Sequence, residues 1–101
     1  MTVIRLVLEE YAELCRWVLE RDGWKCRNCG SREQLHVHHV VYRSQLGPDE
    51  DWNLCTLCSR CHDGIHVDVD DNGNPGLVIE TPADARYELK FIWAPGWRPG
   101  P

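Results

Sequence analysis

Two Cys-x-x-Cys pairs, Cys26/Cys29 and Cys58/Cys61, offer four thiolates, the number a tetrahedral zinc ion takes at about 2.3 Å. Cys55 also stands in Cys-x-x-Cys spacing with Cys58, but it lies two residues after Asn53 in an apolar stretch and fits a core position, so Cys58/Cys61 is the preferred pair. The five histidines all fall between positions 36 and 66, interleaved with the cysteines. His62 and His66 are four apart and share one face of a helix, where they can hold one ion. His38 and His39 are adjacent. Strand alternation would point them to opposite faces, so both serve one site only at a strand end or a bulge; under strict alternation His36 and His38 share a face instead. An imidazole with the ordinary pKa near 6.5 can take a proton from water at neutral pH. A divalent ion held by neutral histidines keeps its full charge and can stabilise the charge that builds on a phosphate. Arg43 and Arg60 are candidate phosphate clamps, because a guanidinium meets phosphate oxygens in a fork.

The elements that must position these residues are legible in outline. Val7, Tyr11, Leu14, Cys15 and Val18 recur at spacings of three and four, which predicts an amphipathic helix from Val7 to Arg21 with Cys15 in the core. Gly23 suits its left-handed end and Arg21 the negative pole of its dipole. WKCRNCGS reads as a tight knuckle and LHVHHVVY as a strand. Residues 43 to 52, with Gly47-Pro48 and three consecutive acids, read as a surface loop, and Asn53 to Leu57 as a short second strand. Ser59 is placed as the N-cap of a short helix to about His66, which Gly64 weakens. VDVDDNGNPG is a turn, GLVIE and RYELKFIW are strands able to form a hairpin, and APGWRPGP is a loose terminus.

The chain has 101 residues, 43% apolar and 27% charged, which fits one globular unit with a thin core. No apolar stretch approaches the roughly 18 to 20 residues needed to cross a bilayer, and no secretory signal is evident, so no membrane partner is expected and the default address is the cytoplasm. Thiols stay reduced there, and paired cysteines read as metal ligands before disulfides. A formal charge of −5 means that any nucleic-acid contact must be local.

In order and spacing, Cys26-x2-Cys29, VHH at 37 to 39, Arg43-Ser44, Asn53-Leu54, Leu57-Cys58-x2-Cys61-His62 and His66 resemble the zinc-ribbon HNH endonucleases, over about residues 16 to 66. The resemblance implies a ββα-metal finger, a hairpin and a helix closing around one divalent ion, flanked by a structural zinc on Cys26, Cys29, Cys58 and Cys61. It implies that His39 is the general base, that His38, His62 and His66 hold a catalytic Mg²⁺, Mn²⁺ or other divalent ion, and that His62 is the last H of the family's name. Asn53 is the N, which in some relatives braces the hairpin and in others reaches the metal; the choice stays open. Two departures stand out: the acidic run Asp49 to Asp51, and residues 67–101, which the family pattern does not explain.

The resulting expectation is a small single α+β domain over residues 1–101. It has an N-terminal helix, a zinc ribbon, the HNH finger and a C-terminal hairpin or irregular tail. It would bind DNA through its phosphates and hydrolyse a phosphodiester, nicking with low sequence specificity, as a monomer or weak dimer of bacterial or phage setting. The rivals are a non-catalytic zinc ribbon that binds nucleic acid or protein, and a thiol redox protein. Asp68-x-Asp70-x-Asn72-Gly73 imitates the first half of a calcium loop, but position twelve is Ile79, so it reads as an acidic turn. The tryptophans read first as packing.

Overall fold

The computed structural model describes residues 5–81 and 88–99. Arg86 and Tyr87, placed in the last strand by the sequence, and the final two residues of the terminus lie outside them. Helix α1 spans Leu8–Arg21, close to the stretch its apolar stripe predicts, with Val7 as its extended N-cap. Gly23, at φ 72°, turns the chain away, while the Trp24 and Gly23 N–H groups donate to the Leu19 and Glu20 carbonyls. These bonds satisfy acceptors that a helix end otherwise leaves open. Val18 is fully buried, whereas Cys15, expected in the core, is half-buried.

Strand β1 (Leu35–His39) and strand β2 (Leu54–Cys58) form an antiparallel hairpin in regular register, with His38 opposite Cys55 and His39 opposite Leu54. Helix α2 (Ser59–His66) follows β2 without a linker and packs back on both strands. Hairpin plus helix is the ββα unit. Ser59 is its first helical residue and not its cap. Cys58 occupies the cap position, and the Ser59 hydroxyl instead bonds to Gln34 across the entry to β1. α1 lies across β2, pinned at its C-terminal end by Asp22, which accepts from the Thr56 N–H at 3.0 Å, and by Arg21, which donates to the Asp51 and Leu54 carbonyls.

The connection between β1 and β2 departs most from expectation. It contains two short 3-10 turns, Arg43–Gln45 and Asp51–Asn53, and folds back on the end of β1 so closely that a Cβ on Gly47 would lie 1.7 Å from the Val41 carbonyl oxygen. Asp49, expected in solvent, is buried. The acid is drawn inside because three donor groups, described below, converge on it.

Strands β3 (Leu77–Glu80) and β4 (Lys90–Trp93) make a second antiparallel pair, the hairpin the sequence allows, with Leu77 opposite Trp93. The acidic turn before β3 is self-contained: both Asn72 and Asn74 N–H groups donate to Asp70. The terminus is not loose up to Pro99. Trp97 lies across α2 and the start of β3, where a Cβ on Gly64 or Gly76 would sit 2.3 Å from its ring, and its indole N–H donates to Asp68 at 3.1 Å. Gly64 is therefore the residue that lets the tail dock on the helix. Four of the six residues in the buried cluster at the centre are cysteines, Cys26, Cys55, Cys58 and Cys61, beside Leu57 and Leu77. Among the described residues no helix is long and apolar enough to cross a membrane.

Candidate functional site

The knuckle at residues 26–29 and the junction of β2 with α2 bring four sulfurs together: Cys26, Cys29, Cys58 and Cys61 lie with all Sγ atoms within 4.8 Å of one another. Cys29 and Cys58 are 3.6 Å apart. Four sulfurs at about 2.3 Å from a tetrahedral zinc stand about 3.8 Å from each other, so the donor set fits that ion. The Cys61 thiol bonds to Cys26, and this pairing draws Cys26 down to about 4 and pushes Cys61 up. Sulfurs this close share protons unless a cation balances several thiolates at once. Asn28 donates to Cys61 at 3.2 Å, an outer contact of the kind that orients a ligand. Cys55 stands apart in the core, its thiol pushed up to about 12 by burial, and plays no part in the cluster.

A second donor set lies on the other side of α2. His62 and His66 share one helix face, with ring centroids 4.5 Å apart, and His38 of β1 meets them at 5.4 and 5.3 Å. One nitrogen from each lies within 4.8 Å of the others, close to what one ion with bonds of about 2.1 Å requires. His38 is buried, and that burial, with the neighbouring imidazoles, lowers it to about 3. Burial and His66 also lower His62. Neutral rings are what a metal needs as ligands. Tyr42 walls the site edge-on to His38, and His36, outside the trio, stacks on His62 at 5.3 Å.

His39 closes β1, and no bulge is needed: at the strand end it lines one cleft of about 230 Å³ together with His38, Tyr42, Arg43, His62 and His66. Its ring stacks on Tyr11 of α1 at 6.0 Å, and its Nε2 lies 2.9 Å from Asp49. Burial pushes the Asp49 carboxyl up, but bonds from His39, the Leu6 N–H and Arg43 outweigh it and hold the group below its usual range. Asp49 is the residue that sequence reasoning missed. One of three acids in a Gly-Pro loop, it carried no local signal of burial.

Asn53 is fully buried, and its side chain is spent on backbone. Its carbonyl accepts from the Val41 N–H at 2.8 Å, and its amide donates to the Val41 and Pro48 carbonyls at 3.0 Å. All three of these bonds run to the backbone of the segment after β1. Arg43 reaches the cleft, but its guanidinium forks onto Asp49. Arg60 lines a different cleft, beside Cys29, Cys58 and Ser59, so the fold does not bring it to the histidines.

Residues 26–68 match the family model for HNH endonucleases. The matched stretch starts at the first cysteine of one cluster and passes the last histidine of the other, so the segment that builds both clusters is the segment that carries the family pattern. Over those residues the chain is similar to HNH endonucleases, and the same residues bring the four cysteines together, which supports a nuclease-type function in general. No curated protein and no solved structure matches the chain significantly.

Proposed function

We propose that this protein is a metal-dependent DNA endonuclease that nicks one strand at a time, with low sequence specificity. The observation that carries the reading is that His39 shares a cleft with His38, His62 and His66. A base and a metal-binding trio on one cleft are what phosphodiester hydrolysis needs, and a zinc ribbon that merely binds would have no use for them. The nuclease core is about residues 16–66, in a single unit of residues 1–101 in which 67–101 form an extension.

In this reading Cys26, Cys29, Cys58 and Cys61 hold a structural zinc. His38, His62 and His66 hold a divalent ion, Mg²⁺ or Mn²⁺ being the first to try, which when bound supplies positive charge opposite the phosphate. His39 receives the proton of the attacking water. Asn53 keeps the loop after β1 against the strand end, so that His39 stays at the mouth of the cleft. Arg43, half-exposed beside the base, is the nearer candidate for a phosphate contact. Arg60 contacts DNA only if the strand also runs past the ribbon.

The test is supercoiled plasmid incubated with Mg²⁺ or Mn²⁺. Open circles should accumulate before linear product, and His39→Ala should slow nicking by at least about 100-fold, the low end of what a general base contributes. Cutting by His39→Ala at the parent rate, or no cutting by the parent with either ion, defeats the proposal.

A further inference from the structure

Asp49 is more than a buried acid in an awkward place. Its side chain has no solvent exposure, and both oxygens are taken by groups that can only donate. Oδ1 accepts from Arg43 Nε at 3.1 Å, and Oδ2 from Arg43 Nη2 at 3.0 Å and the Leu6 N–H at 3.1 Å. Arg5 adds a further guanidinium 4.0 Å away. A carboxyl so surrounded is a carboxylate, and a carboxylate only accepts. The imidazole nitrogen 2.9 Å from it, His39 Nε2, must therefore be the one bearing hydrogen. A neutral imidazole has one N–H, so Nδ1 is left with its lone pair free.

We propose that Asp49 is a positioning residue for the reaction: it holds His39 as the Nε2–H tautomer and so assigns Nδ1 as the nitrogen that takes the proton of water. The inference rests on the endonuclease reading above. Arg43 and Arg5 bring two positive charges against the one negative charge of Asp49, so its influence on the ring is directional more than electrostatic. Tyr11, stacked within 16° of the ring plane, fixes the remaining rotation. In the step itself a water O–H bond breaks, its proton goes to Nδ1, and the electron pair left on oxygen forms the new P–O bond. The bond from phosphorus to the 3′ oxygen breaks with its pair on that oxygen, which takes a proton from solvent, and the imidazolium returns its proton to solvent. Arg43 then serves Asp49 before it serves DNA. Holding a base by the nitrogen it does not use is the arrangement of the serine-protease triad, where an Asp-to-Asn change keeps the geometry and loses the tautomer.

Two measurements test this. In plasmid nicking, Asp49→Asn should lower kcat by about 100-fold or more with KM within about twofold, since the loss is that of a general base; in a His39→Ala background the same change should alter the rate by no more than about twofold. Nicking by Asp49→Asn within about threefold of the parent, or losses that multiply in the double variant, overturn the role. Independently of any variant's folding, nitrogen-15 spectra of the zinc-loaded parent should show His39 Nε2 as the N–H and Nδ1 as the bare nitrogen; the opposite assignment overturns it as well. A parent that fails to nick defeats the endonuclease reading and this role with it, whereas a nicking parent with an unaffected Asp49→Asn defeats the role alone.

Discussion

Three buried polar side chains, Asn53, Asp49 and His38, set the geometry of the cleft, and each makes a different demand. Asn53→Ala removes three hydrogen bonds and strands the Val41 N–H in a buried place, which should cost about 2 to 4 kcal/mol. Urea midpoints of the zinc-loaded protein measure it, and Asn53→Asp should be no better, since it loses the donor that both carbonyls use. His38 makes stability depend on pH. Its folded pKa of about 3 lies below the ordinary 6.5, so between those values the unfolded chain binds one proton more. Stability therefore falls as pH drops from 6.5 towards 3, by up to about 1.4 kcal/mol per unit. Urea titrations at pH 7, 6, 5 and 4 should give His38→Asn a slope shallower than the parent's by about one proton, and equal slopes would remove His38 from this account. The histidines and cysteines were legible because their spacing is short and their chemistry narrow. Asp49 was not, because what buries it arrives from Arg5 and Leu6, more than forty positions away.

The helix that carries two of the histidines shows how a distant contact can reverse a local preference. Gly64 in the middle of α2 costs about 1 kcal/mol relative to alanine on propensity, and that is why its sequence made the helix doubtful. The helix forms because Trp97 covers that glycine, Cys58 and Cys61 anchor its first turn, and β3 packs on its side. Gly64→Ala should then destabilise, by about 1 to 3 kcal/mol as overpacked cores do, although propensity predicts a gain. In a Trp97→Ala background the same substitution should become neutral or stabilising, and the sign change is read from thermal melts of the four proteins. A loss that persists without Trp97 would mean that the ring is not what Gly64 accommodates. The strands of both pairs could be read from their apolar and β-branched content, although β2, buried at all five positions, does not alternate. The docking of the tail could not, since nothing near Trp97 distinguishes a tryptophan that packs from one that dangles.

At the scale of the whole molecule, sulfur takes a large share of a thin core. Four of the six residues in the central buried cluster are cysteines, three of them from the four-sulfur set, and the tail reaches that set through Trp93, whose indole donates to Asn28, itself bonded to Cys61. Structural zinc contributes about 10 to 16 kcal/mol of apparent binding energy, against a total stability of about 5 to 15 kcal/mol for a domain. Removing that ion should therefore abolish the cooperative thermal transition and not merely lower its midpoint. The histidine trio sits on the far side of α2 and contributes no residue to the central cluster, so its ion should be dispensable for folding. Metal analysis of the parent in excess divalent ion should find two ions per chain, one retained through dialysis and one not, while His66→Ala should keep the first, lose the second and melt within a few degrees of the parent. A chelated parent that still melts cooperatively would place the stability elsewhere than in the cysteines. A His66→Ala protein that still binds two ions would leave the cleft without the metal on which its proposed chemistry depends.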